Sequence, residues 1–446
     1  MGFSFLNQFF FRLLLVLSVF SAIIDPTVRL NAQIGSNIKT FSEETMIRAR
    51  LKALTDTNMY GRGYVKNGKE NAALYIEGKF KELKLKGITK DGGYGQNYFF
   101  PVNTFPGAMK LAINGNELTP GEDYIIEPSS TSYNRKRMEI EEVDLRQVVD
   151  TPDWLRLCDS VFTPDKLFYF DDIETVCKNL NIRKDVFPYI LPHGCYMIKG
   201  DEKLIWSVKL DTCRSTIFYV KESAVPSKLK SADVSVAAEY LPRVKSENII
   251  GFLTGKVKDT FLVFTAHYDH LGMMGSSTLF PGASDNASGM AMLLYLADYF
   301  AKHPQKYSIM FIAFSGEEAQ LIGSKYYTKH PVLPLKNFKF LINLDIMGDA
   351  TGGLTVVNAT DNPKQFEMLQ TLNNRDKFVP QIHERANAAN SDHYYFAQAG
   401  VPCFYIFSEG GKGFYHDIYD VPSEVSLNKV DGVAKLLIKF VEMYNY

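Results

Sequence analysis

The stretch Phe311–Tyr327, FIAFSGEEAQLIGSKYY, sets Glu317 and Glu318 side by side directly after an apolar run. Adjacent like charges repel and add nothing to packing, so the plain reading of such a pair is a solvated turn. Chemistry needs the pair when one carboxylate binds a cation and its neighbour stays free to take a proton. Adjacent side chains point in different directions, so one loop can supply both. Other polar residues stand in comparable places. His267 and Asp269 follow TFLVFTA, Asp285 sits in PGASDNASG, Asp345 ends FLINLD, and His416 lies in FYHDIYD after a glycine-rich loop. Each has a structural explanation when taken singly: Asp285 as a helix cap, a histidine as a hydrogen-bonded structural group, Asp345 as a strand end. Two histidines and four or five carboxylates on one rim, however, would repel each other without a cation. Nitrogen and oxygen ligands without thiolates suit zinc, and cobalt or manganese less specifically. So many carboxylates point to two metals, with one carboxylate shared between them. Asp269, two residues beyond His267, is expected to hold that imidazole in its ligating tautomer.

These residues need a scaffold that brings them together. From SENIIGF onward the rhythm is strand, loop, helix, strand. TFLVFTA, YSIMFIAFS, FKFLINLDI and VPCFYIF read as strands, while ASGMAMLLYLADYFAKH, NPKQFEMLQTLNN and SLNKVDGVAKLLIKFVEMYNY read as helices. That alternation predicts an α/β sandwich with a largely parallel central sheet. In such sheets, ligands sit at the carboxyl ends of the strands, where the polar residues fall. Upstream, FSEETMIRARLKAL predicts a helix with Ser42 as its cap. NAALYIEGKFKELKLKG predicts a second helix, closed by Gly87. Between about Phe100 and Leu241 come short β-like runs (KLAING, KLFYF, YMIKG, STIFYV), many charges and four cysteines. This segment reads as an inserted β-rich accessory domain. The expected divisions are residues 1–32, an export signal; 33–99, a helical front; 100–241, the insert; and 242–446, the main catalytic part.

At 446 residues the chain has room for about two to three domains. Its net charge of -1 argues against a nucleic-acid footprint or a polybasic membrane surface. The N-terminus has one basic residue, Arg12, ahead of the apolar run Leu13 to Ile24, with a plausible cut after Ala32. This is a signal-peptide pattern, which implies an exported protein, periplasmic or extracellular, and no other membrane segment is expected. An uncleaved anchor stays open as the alternative. Cys158, Cys177, Cys195 and Cys213 cluster in the middle segment, and both disulfides and free thiols remain open for them. Cys403, in VPCFYIF, reads as a small core residue.

Six motifs in order, AHYDHLG, GASDNASG, FSGEEAQLIGS, NLDIMG, SDHYYFAQAGVP and YHDIYD, resemble the co-catalytic zinc aminopeptidases of the bacterial leucyl aminopeptidase type. Glutamate carboxypeptidase, the transferrin receptor ectodomain and glutaminyl cyclase belong to the same superfamily. The resemblance runs from about Ser246 to the C-terminus, and the segment from about Phe41 to Phe99, with its YGRG turn, is similar to the front of these catalytic domains. It implies the zinc exopeptidase fold, a three-layer sandwich, and two Zn2+ per chain. His267, Asp285, Glu318, Asp345 and His416 would be the ligands. Asp285 would bridge, with His267 and Asp345 completing one position and Glu318 and His416 the other. Glu317 would be the general base toward peptide substrates, and the Asp285–Asn286 peptide would be cis. His393, in SDHYYF, would line or support the substrate pocket, whereas His270 reads as structural. The insert would be protease-associated-like. The oligomeric state and side-chain preference are not legible. Two other readings stand beside this one. Single-zinc cyclase chemistry is compatible with GEEA, but DNASG and NLDIMG go with two metals. A non-catalytic homologue is disfavoured because all five ligand positions and the base are filled.

Overall fold

A computed structural model describes residues 42–444. The expected export signal, 1–32, lies outside the described residues. Among the described residues no helix is long and apolar enough to cross a membrane.

An eight-stranded sheet carries the architecture. In spatial order its strands are Gly95–Thr104, Glu239–Leu253, Tyr307–Phe314, Val257–His267, Phe338–Leu344, Cys403–Glu409, Gly353–Val357 and Ile382–Arg385. The four from Tyr307–Phe314 to Cys403–Glu409 run parallel. The strands flanking this core pair with it antiparallel. Side chains alternate between the two faces of a strand, and here both faces are apolar. Leu262, Phe264, Ala266, Ile309, Phe311 and Ala313 pack with the helices Glu43–Leu54, Gly68–Glu82, Gly289–Lys302, Pro363–Asp376 and Val430–Met443. Phe261, Val263, Met310, Ile312 and Phe314 face the other way, toward Tyr327 and Phe396 of the helices Ile322–Lys329 and His393–Gln398. The result is the expected three layers. Burial on both faces explains why the central strands read as unbroken apolar runs.

A second eight-stranded sheet is made wholly of residues between Met109 and Val236. It is less purely β than expected. Tyr133–Glu142, Leu167–Phe170, Cys195–Gly200 and Thr216–Lys221 form a parallel run. The helix Thr151–Ser160 buries Trp154 in a cluster with Phe168, Phe170, Phe187 and Tyr196. Charges crowd the exposed side of this helix, which hid its apolar face from a reading by composition. The two positions at which the sequence was divided fall inside strands paired to each other, with Phe100 opposite Val244 and Val102 opposite Leu241.

The remaining differences are local. The second helix ends at Glu82 and not at Gly87: Lys84 has φ +58°, and Lys86 forms a bridge with Phe252 at the sheet. The last helix begins at Val430, because Leu427 and Lys429 hold positive φ. All five cysteines are free thiols, and Cys403 is buried in the core.

Candidate metal centre

Parallel strands place their carboxyl ends on one edge, and four neighbouring strands deliver the polar groups there. Val257–His267 ends on His267, Tyr307–Phe314 leads to Glu317 and Glu318, Phe338–Leu344 runs into Asp345, and Cys403–Glu409 precedes the loop bearing His416. Asp285 comes from the turn Ala283–Ser288, ahead of the buried helix Gly289–Lys302, and the Asp285–Asn286 peptide is cis.

His267 Nε2 lies 3.2 Å from Asp285 Oδ1 and 3.4 Å from Asp345 Oδ1. His416 Nε2 lies 3.1 Å from Asp285 Oδ2 and 3.1 Å from Glu318 Oε2. Asp285 thus faces both imidazoles, one with each oxygen. Glu317 Oε2 stands 4.0 Å from His267 Nε2. Donor atoms that share a tetrahedral zinc at its usual bond lengths are about 3.3 Å apart, which these separations match. Asp285 Oδ1 and Asp345 Oδ1 are buried without a hydrogen-bond partner. Four carboxylates, Asp285, Glu317, Glu318 and Asp345, outnumber the three imidazoles of His267, His270 and His416 even if all are protonated. Buried charge of that kind needs cations. The residues present therefore fit metal ions, and among the described residues three overlapping groups could hold one: His270, Asp285, Glu318 and His416; His267, Glu317 and Glu318; and His267, Asp285 and Asp345.

The electrostatics carry the same message. Burial works to lower the His267 pKa, yet Asp345 and Glu317 hold it well above its ordinary value. Burial also opposes protonation of His416, but Glu318 and Asp285 raise it to about 11. Asp285 is held well below the usual carboxylate range: burial pushes it up, and the two imidazoles outweigh that. Glu317 goes the other way. Burial, with Glu318 and Asp345 beside it, outweighs His267 and raises it well above a normal glutamate.

Supporting residues fix the geometry. His267 Nδ1 donates to the main-chain oxygen of Asp269 at 3.1 Å, while the Asp269 carboxylate stands 3.8 Å away. The expected tautomer lock therefore comes from the Asp269 backbone. Its carboxylate instead accepts from Tyr64 Oη at 2.9 Å and from the Glu317 amide at 3.2 Å, so it steers the loop that carries the two glutamates. Ser391 Oγ donates to Asp345 Oδ2 at 2.7 Å. Asp420 accepts from the amides of Ser284 and Asp285. Arg62 is fully buried beneath this turn and donates to the carbonyls of Leu54, Tyr268, Pro281, Gly282 and Asp285. Gly282 sits at φ +58°, where a Cβ would come within 2.2 Å of Asp285 O and 2.3 Å of the His270 ring.

Two further histidines, His270 and His393, are buried. His270, read as structural, is in the cluster: its Nδ1 lies 2.6 Å from Glu318 Oε1, and its Nε2 is buried without a partner. His393 is fully buried, with its ring 5.3 Å from that of Tyr405 and neither ring nitrogen partnered. Arg62, Tyr64, Asp420 and Trp206 were not singled out from the sequence. Arg62 and Asp420 lie within the quoted YGRG and YHDIYD stretches, but nothing in spacing marks a residue that serves through its contacts to distant carbonyls or amides. Trp206, whose carbonyl accepts from His416 Nδ1 at 3.0 Å, carries no local signal at all.

A three-layer α/β fold with clustered imidazoles and carboxylates at the carboxyl edge of its parallel strands defines a protein built around a metal centre. Residues 248–441 match the model of Peptidase family M28. It is 32% identical over 202 residues to aminopeptidase YwaD of Bacillus subtilis, a stretch covering 43% of each chain. It is 28% identical over 220 residues to a probable zinc metalloprotease of Pyrenophora tritici-repentis, covering 41% of this chain and 45% of that one. The match spans less than half the length of these curated relatives. In fold the chain is similar to BSAP, a zinc aminopeptidase from Bacillus subtilis, with a TM-score of 0.64 and 20% identity over 90% of this chain and 95% of that one. It is also similar to the aminopeptidase from Aneurinibacillus sp. strain AM-1, with a TM-score of 0.60 and 20% identity over 90% and 93%.

Proposed function

We propose that this chain is an exported two-zinc aminopeptidase that removes N-terminal residues from peptides. The observation that carries the reading is Asp285, whose two oxygens face His267 and His416 at 3.2 and 3.1 Å. His267 and Asp345 complete one position, and Glu318 and His416 the other. Zinc ions bound there supply Lewis-acid polarisation of the scissile carbonyl and a more acidic attacking water. Glu317 takes the proton from the attacking water and hands it to the leaving amine. Asp269 positions Glu317 through the Glu317 amide. Residues 1–32 serve as the export signal. The helical front and residues 242–446 together form the peptidase part, with the intervening segment as an accessory module.

The test is the zinc content of the purified mature protein, followed by an aminoacyl-amide and peptide substrate panel. About two zinc per chain with release of N-terminal residues supports the reading. One zinc even after titration, with cyclisation of N-terminal glutamine, favours the cyclase chemistry. Absence of zinc after titration would sink both.

A further inference from the structure

The two imidazoles are oriented in the same way but by different parts of the chain. His267 is held by a carbonyl two residues away, at Asp269. His416 is held by Trp206, from the segment that forms the second sheet. The bond is reciprocal: the Trp206 amide donates to the His416 carbonyl at 3.0 Å, and His416 Nδ1 donates to the Trp206 carbonyl at 3.0 Å. Lys203 Nζ adds a bond to the carbonyl of Gly413 at 2.7 Å. His416 needs this support because it stands on an irregular loop after the strand ending at Glu409, and Gly410, Gly411 and Gly413 in that loop all have positive φ.

Trp206 is itself firmly seated. Its side chain is buried, and Nε1 donates to the carbonyl of Ile126, at the end of the second-sheet strand Tyr124–Ile126, at 2.9 Å. Its ring lies 4.8 Å from that of Phe280, in the short strand just before the Asp285 turn. One indole thus links the second sheet, the approach to Asp285 and the His416 loop. Committing Nδ1 to a carbonyl leaves Nε2 with its lone pair toward Asp285 and Glu318, the tautomer a metal ligand needs.

We infer that the second-sheet segment is a structural part of one zinc position, with Trp206 as the positioning residue for His416. This rests on the two-zinc reading above. His267 and Asp345 are held by hydrogen bonds from outside that segment, at Asp269 and Ser391, whereas His416 is held by Trp206.

Zinc affinities of the metal-free protein, measured by competition with a chromophoric chelator, test this. The Trp206→Ala variant keeps the main-chain carbonyl but removes the indole that seats it, so one affinity falls, by up to the roughly 10- to 100-fold that displacing an outer partner of a metal-bound histidine costs, and the other is unchanged. A folded Trp206→Ala protein with both affinities unchanged, or with both weakened alike, overturns the inference. If that variant does not fold, Trp154→Phe keeps the question open, because the chain has two tryptophans and Trp206 becomes the sole emitter. Zinc added to metal-free Trp154→Phe protein then changes the Trp206 emission, and does not when His416→Ala is also present. Emission indifferent to zinc, or equally responsive without His416, counts against the clamp. Wild-type protein that binds fewer than two zinc ions defeats the two-zinc reading itself, before any variant is compared.

Discussion

Asp285 turns one oxygen toward each of His267 and His416, and its own amide is held by Asp420. Asp285→Asn removes the charge that both positions share, so zinc content should fall at both. Loss at one position alone, read by elemental analysis, would count against the bridge. Glu317 stands farther back, at 4.0 Å from His267. Glu317→Gln should therefore keep zinc content near wild type while kcat drops by about 10²- to 10⁴-fold, the usual scale for a general base. The histidines make a pH prediction for the metal-free protein. The pKa of His416 is raised in the fold to about 11, because the pull of Glu318 and Asp285 outweighs burial. The folded state then binds more protons than the unfolded state between the ordinary histidine range and about pH 11, so stability falls as pH rises through that window. Zinc requires neutral imidazoles and removes this dependence. Melting temperatures of the metal-free protein should decline toward alkaline pH, and the gain on adding zinc should grow there. A gain that is flat with pH would argue that the imidazoles do not bind the metal.

Loops rather than strands hold most of the site, and Arg62 shows how they are kept in place. Its five carbonyl partners come from the end of the first helix, the residue after His267 and the Asp285 turn. Burial lowers its pKa to about 10, and the nearby Asp285 and Asp420 oppose the loss of its charge, so it stays a cation at neutral pH. Arg62→Met would leave those carbonyls buried and unpaired and remove the charge that faces the carboxylates. The cost should be about 3–5 kcal/mol, as for breaking a buried ion pair. Urea denaturation of the metal-free protein gives the measurement, and a loss under about 1 kcal/mol would show that water or a shifted loop replaces the guanidinium.

For the whole molecule, the free thiols make a plain forecast. Four of the five cysteines, Cys177, Cys195, Cys213 and Cys403, are buried, and none is paired. A disulfide closing a long loop would contribute about 2–4 kcal/mol. Reductant should therefore leave the melting temperature unchanged, and five thiols should titrate in denaturant. A drop in melting temperature with reductant would reveal a bridge in the Cys158–Cys213 segment.

Much of this was legible in the sequence, for reasons that are local. His267, Asp345 and the Glu317–Glu318 pair follow apolar runs, and a parallel sheet buried on both faces has to place such residues on one edge. Asp285 announces itself by preceding a helix within a glycine-flanked turn. Periodicity and chain order were enough for the α/β sandwich and for polar residues at its strand ends, while the ligand assignments and the three layers came from the resemblance of the motifs. Other features depended on contacts between residues far apart in the chain. Nothing near Arg62, Asp420 or Trp206 says which carbonyls or amides they will meet, because those partners lie 8 to 223 residues away. Asp269 was expected to hold the His267 imidazole, and only the backbone conformation decides that its carbonyl does so, leaving the carboxylate to hold the Glu317 amide. Nothing near His270 shows that folding brings Glu318 to its ring. Sequence by itself determined which groups could bind and move protons, since strand periodicity and residue type are local. Only the tertiary structure decided which of their neighbours would orient them, since a hydrogen bond depends on position in space and not on separation along the chain.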